Sequence, residues 1–117
     1  MSFIDFRDAR PIYEQIVEQY KLLILKGVLA PDEQMPSVRK LAMELSTNPN
    51  TVQKAYAELE RQGFIYTVKG KGNFVHGNED LREKKKQELE TRLKALLKEA
   101  EESGIDPEEL LRGVRND

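Results

Sequence analysis

The side chains suited to recognition chemistry fall in one window, between Ser37 and Lys71. Asn50, Thr51, Gln53 and Lys54 follow one another near the start of one predicted helix. Asn and Gln amides pair bidentately with adenine edges, and Thr offers a hydroxyl and a methyl to several partners. On the first two turns of a helix, such a set suits entry into a DNA major groove. Ser37 and Arg39 lie near the N-terminus of the preceding helix, where free N–H groups favour phosphate. Arg39 has the reach to clamp a phosphate or meet a guanine. Lys69 and Lys71 alternate with Gly70 and Gly72 at a hairpin tip. Glycine lets a backbone approach a surface closely, and the lysines neutralise phosphate or enter a minor groove. Each surface also has a plainer explanation. Asn48 and Asn50 serve as helix caps, the two glycines make the turn, and isolated Arg and Lys on helices are solvated.

Covalent chemistry finds little to work with. The chain has no Cys, which removes thiolate metal sites, disulfides and Cys nucleophiles, and one His, His76, which removes multi-His metal sites. Ser37 and His76 make no catalytic pair, because Ser37 is accounted for as a cap and His76 as a strand residue. Tyr13, Tyr20 and Tyr56 lie on apolar faces and read as core.

The elements that must carry these side chains follow from periodicity. Tyr13, Ile16, Val17, Tyr20, Leu23 and Ile24 recur at three- and four-residue steps after Pro11, which predicts a helix ended by Gly27. Residues 28–36 hold Pro31 and Pro36 and read as a loop. Ser37 caps a short helix whose buried stripe is Val38, Leu41, Ala42 and Leu45. Asn48 then caps a third helix with Pro49 at its first position, burying Val52, Ala55, Tyr56 and Leu59 and closing at Gly63. Phe64–Val68 and Asn73–His76 are rich in aromatic and β-branched residues and read as strands joined by Lys69–Gly72. Helix, helix, helix, hairpin is the order of a winged helix-turn-helix. The three polar sets share one window in that order, and this favours recognition over coincidence.

From about residue 78 to Glu102 the chain reads as a long charged helix with Leu89, Leu93, Leu96, Leu97 and Ala100 on one stripe. Ser103-Gly104 stops it, Asp106 caps a last helix with Pro107 first, and Leu110, Leu111 and Val114 form a small apolar patch. The 117 residues, 38% hydrophobic and 34% charged, allow a modest core and leave no room for a large catalytic domain. The net charge of −2 hides an asymmetry. Residues 36–77 carry six Lys/Arg against three Glu, while 79–117 carry nine against twelve acids. That suits a local anion-binding face. No basic patch followed by an apolar run opens the chain, and no stretch approaches a membrane span, so the expected compartment is the cytoplasm.

Several separated blocks stand in a telling order: Pro11-Ile12-Tyr13-Glu14-Gln15-Ile16, Gly27-Val28-Leu29-Ala30-Pro31, Met35-Pro36-Ser37-Val38-Arg39-Lys40-Leu41-Ala42, Asn48-Pro49-Asn50-Thr51-Val52-Gln53-Lys54-Ala55-Tyr56, Leu59-Glu60-Arg61-Gln62-Gly63-Phe64-Ile65 and Gly70-Lys71-Gly72-Asn73-Phe74-Val75. Over residues 10–76 the chain thereby resembles the GntR family of bacterial transcription regulators. The resemblance implies a winged-helix, repressor-like domain that binds palindromic operators as a homodimer. It implies DNA contacts from Arg39, from Asn48, Asn50, Thr51 and Gln53 of the recognition helix, and from Gly70 in the minor groove with Lys69 beside it. Asn73 departs from the family, which usually has Thr there, and this bears on the wing's fine contacts. The short remainder after the DNA-binding part resembles the YtrA-type subfamily, whose C-terminal helices serve dimerisation.

The expected architecture is therefore mainly α with a small β-hairpin: a winged helix-turn-helix over 1–77 and a helical dimerisation tail over 78–117. A tail of this size rarely builds its own core, so Leu89, Leu93, Leu96, Leu97, Leu110 and Leu111 need a partner. The alternative is that they fold back on their own N-terminal domain. The expected partners are a double-stranded DNA operator and a second copy, with no cofactor, metal or membrane; no effector pocket is legible. The expected function is sequence-specific transcriptional repression. The other class open to these residues is a winged-helix protein-interaction module without DNA binding.

Overall fold

A computed structural model describes residues 4–5, 7–77 and 79–116. Helix α1 (Ile12–Leu25) starts where Pro11 holds φ −55 and ψ 148, and its carbonyl accepts the N–H groups of Glu14 and Gln15. It ends at Gly27, whose φ of +76 is the left-handed turn that glycine adopts without strain. Helix α2 (Val38–Glu44) is capped by the Ser37 hydroxyl, which accepts from the Lys40 N–H at 3.1 Å. Helix α3 (Pro49–Arg61) is capped by the Asn48 side chain, which accepts from the Asn50 N–H at 2.8 Å. Between α2 and α3, Ser46 takes φ +52, a cost tolerated because Ser46 and Thr47 donate back to the Met43 and Ala42 carbonyls. Strands β1 (Ile65–Val68) and β2 (Gly72–Val75) pair antiparallel, Ile65 opposite Val75 and Thr67 opposite Asn73.

Helix α3 packs on α1, α2 and β1, so it lies at the centre of this unit. Its Val52, Ala55, Tyr56 and Leu59 are buried as the spacing predicts, against Ile16 and Ile24 of α1, Leu41 of α2, and Ile65 and Val75 of the hairpin. Burying a side chain such as Leu59 or Ile16 contributes about 1.5–3 kcal/mol. Val38 is only partly covered.

One segment departs from expectation. Residues 28–36 read as a plain loop, yet Asp32–Met35 runs alongside β2. Asp32 N–H donates to the Val75 carbonyl at 2.7 Å, Val75 N–H to Glu33 at 2.9 Å, and Met35 N–H to Asn73 at 2.8 Å. Gln34 bridges Phe74, so the hairpin gains a short third member. Pro31 and Pro36 bracket the segment and forbid a helix there, but leave the N–H groups between them free to pair. Gln15 is the other unforeseen feature: buried in α1, it accepts from the Asp5 N–H and donates to the Asp5 and Arg10 carbonyls, clasping the segment before the helix.

Helix α4 (Glu79–Glu102) belongs to two compact units, Met1–Leu81 and Arg82–Asp117. The division falls inside α4, later than residue 77, because Leu81 joins the first unit's core. In the second unit Gly104 turns at φ +78 and Ile105 N–H donates to the Ala100 carbonyl at 2.8 Å. Helix α5 (Pro107–Arg115) is capped by Asp106, which accepts from the Glu108 N–H at 3.0 Å. No helix among the described residues is long and apolar enough to cross a membrane.

Candidate nucleic-acid interface

Helix α3 has one face sealed in the core and the other open. Asn50, Gln53 and Lys54 are exposed, and Thr51 lies at the edge of the buried face, half-covered. Asn48 is exposed as well, but its side-chain oxygen is committed to the cap. Lys54 departs from its neighbours: its ammonium lies 4.0 Å from the centre of the Tyr13 ring, a cation–π contact that draws it towards α1. Asn50 and Gln53 thus remain as the amides open to a partner.

Arg39 projects from the first turn of α2, exposed, with no ion pair among the described residues. The start of α2 is tied to α3 by Tyr56, whose hydroxyl donates to the Pro36 carbonyl at 2.8 Å. Sequence periodicity identifies Tyr56 as core but is silent on this bond. Burial pushes the Tyr56 hydroxyl well above the ordinary tyrosine range, so it remains a donor at any physiological pH. Tyr20 meets the Tyr56 ring edge-on at 6.1 Å and holds it in place.

The hairpin tip supplies the third surface. Lys69, Gly70 and Lys71 are exposed, and neither lysine has an ion pair among the described residues. Lys71 N–H closes the turn on the Val68 carbonyl at 2.9 Å. Gly70 has φ +78 with open space where a Cβ would stand, so the turn alone calls for glycine there, and the tip is left unobstructed. Gly72 has φ +125, and a Cβ on it would lie 3.1 Å from the Gln34 amide nitrogen. Asn73 accepts from the Thr67 hydroxyl at 2.8 Å across the ladder, so the residue that departs from the family pattern is engaged within the wing. His76 lies against the Tyr66 ring at 4.9 Å, and Tyr66 stacks on Phe74 and donates to Asp32 at 2.7 Å.

The contrast with Arg61 is instructive. It pairs with Glu58, whose carboxyl is held down to about 2, chiefly by the Arg61 guanidinium and then by the Gln62 amide. Arg61 is thereby neutralised locally, while Arg39, Lys69 and Lys71 keep their charge available to an anion. In the second unit Leu89, Leu93, Leu96 and Leu110 are between 40% and 57% exposed, and Leu97 and Leu111 are partly covered. That is more apolar exposure than a 36-residue unit leaves open without cause. Among the described residues no group of three or more His, Cys, Asp or Glu could hold a metal ion.

Residues 12–75 match the family described as "Bacterial regulatory proteins, gntR family". The HTH-type transcriptional repressor YtrA of Bacillus subtilis (strain 168) is 46% identical over 117 residues, covering 98% of this chain and 90% of that one. A transcriptional regulator from Oenococcus oeni superposes with a TM-score of 0.78 at 35% identity, over 99% of this chain and 98% of that one. AraR(DBD), solved in complex with operator ORE1, superposes with a TM-score of 0.55 at 29% identity, over 64% of this chain and 92% of that one.

Proposed function

The chain belongs to the GntR family of bacterial regulatory proteins, and from that premise we propose that it binds a specific operator in double-stranded DNA and represses transcription there. The observation that carries this reading is the two-sidedness of α3. Val52, Ala55, Tyr56 and Leu59 seal one face, which leaves Asn50 and Gln53 open beside Thr51. Amides on a rigid helix read base edges, since their donor and acceptor pattern matches adenine in the major groove. Arg39 and the wing lysines supply the phosphate contacts that set register without reading sequence. The likeness to AraR(DBD), solved in complex with operator ORE1, supports operator DNA as the partner. Operator DNA sets the compartment as the bacterial cytoplasm.

Two copies act together in this reading. The exposed leucines of α4 and α5 are covered by the same surface of a partner, which relates two recognition helices by a two-fold axis. The operator is then an inverted repeat with its half-sites in successive major grooves.

Fluorescence anisotropy on the DNA upstream of the protein's own gene tests the proposal. Arg39→Ala and Thr51→Ala should each weaken operator binding about ten- to hundredfold. Affinity should fall steeply with salt, because phosphate neutralisation releases counterions. Equal binding to operator and scrambled duplex, or wild-type affinity in both variants, would overturn it and return the protein-interaction reading.

A further inference from the structure

We propose that Gln34 is a positioning residue of the wing, holding the Lys69–Gly70–Lys71 turn where its lysines meet a DNA backbone; this rests on the operator-binding reading above. The Gln34 amide nitrogen donates to the Lys71 carbonyl at 2.9 Å, a side chain-to-backbone bond across 37 residues. The backbone pairing of Asp32–Met35 with β2 stops at the Met35–Asn73 bond, and the Gln34 side chain extends the hold past it to the turn. Gly72 makes room for the bond, since any Cβ there would press on the Gln34 nitrogen at 3.1 Å. The same strand leads directly through Met35 and Pro36 into the Ser37 cap, and Tyr56 pins Pro36 to α3. One covalent segment thus holds the wing tip, the start of α2 and the recognition helix in one frame. Neither Lys69 nor Lys71 has a side-chain partner among the described residues, so the backbone of the turn decides where their charges stand.

The test uses the full chain and Gln34→Leu, which keeps the bulk and removes the donor. Gln34 is exposed, so the variant should fold and melt close to the wild type. Operator affinity should fall about two- to tenfold, the worth of one such bond. The slope of log affinity against log salt should become shallower by about one, as a lysine leaves its phosphate. On a Lys69→Ala/Lys71→Ala background the same change should cost nothing more. Wild-type affinity with an unchanged slope would overturn the proposal. So would an equal penalty on the lysine-free background, which would make the Gln34 amide a direct DNA contact. Amide exchange in the DNA-free protein separates this from the reading it rests on. Lys71 N–H should exchange faster in Gln34→Leu whether or not the wild type prefers an operator. Unchanged exchange there would sink the positioning role even if operator binding is confirmed.

Discussion

The two units of this chain solve the burial problem differently. The first satisfies itself: Ile16, Ile24, Val52, Leu59, Ile65 and Val75 are almost wholly withdrawn from water, and polar Gln15 is buried with its amide fully engaged. The second buries Ala100 and leaves Leu89, Leu93, Leu96 and Leu110 about half exposed. The proposed recognition surface belongs to the self-sufficient unit, and reading base edges would demand a helix whose position does not drift. The leucine-rich surface belongs to the other, because an apolar stripe left open can serve assembly. Rigidity and incompleteness are thus kept apart along one chain.

Making the same chemical change in each unit probes this contrast most strongly. Leu59→Ala should destabilise the first unit by about 2–5 kcal/mol, since it opens a cavity at a fully enclosed position. Leu96→Ala, at a residue 57% exposed, should cost much less in denaturant melts of dilute protein and more as concentration rises. An equal, concentration-independent cost at both sites would erase the distinction. A sharper cut is Leu93→Glu with Leu96→Glu. Light scattering should show a monomer, circular dichroism should retain the first unit, and operator affinity should fall at least about tenfold as one half-site is lost. A dimer that survives this change would place the interface elsewhere.

The smallest expected effect lies in the first unit's surface electrostatics. Arg61 and Gln62 lower the Glu58 carboxyl to about 2 from an ordinary value near 4.5. The folded state therefore binds this proton less readily than the unfolded chain. The resulting stabilisation is complete above about 4.5 and disappears as pH falls towards 2. Glu58→Gln should flatten the acid limb of the stability curve in that window. The change should be slight, because the pair is open to solvent and screened by salt. An unaltered acid limb would mean the Glu58–Arg61 pair adds nothing in solution.

Much of the first unit is legible in the chain itself. Asn48-Pro49 marks a helix start with little ambiguity, and the spacing of Val52, Ala55, Tyr56 and Leu59 names the buried face, which leaves Asn50 and Gln53 outside. Both signals are local: a cap and a period depend on residues within a few positions of each other. The Asp32–Met35 pairing was not legible, since its partners in β2 lie some forty residues away and no local pattern requires them. Lys54 illustrates the same limit. Its place in the chain groups it with Asn50 and Gln53, but an aromatic ring on α1 claims the ammonium.

Sequence alone determined the helices and the hairpin, their order, the caps of α2, α3 and α5, and the faces that α1, α2 and α3 bury, because these follow from covalent geometry and short-range periodicity. Tertiary structure decided which polar groups remain free and which are already taken. It bound Gln34 to the wing turn, Tyr56 to the Pro36 carbonyl and Lys54 to Tyr13, and it carried Leu81 across the expected boundary into the first core. Those outcomes turn on distances between segments remote in the chain, and such distances exist only once the backbone has closed around its core.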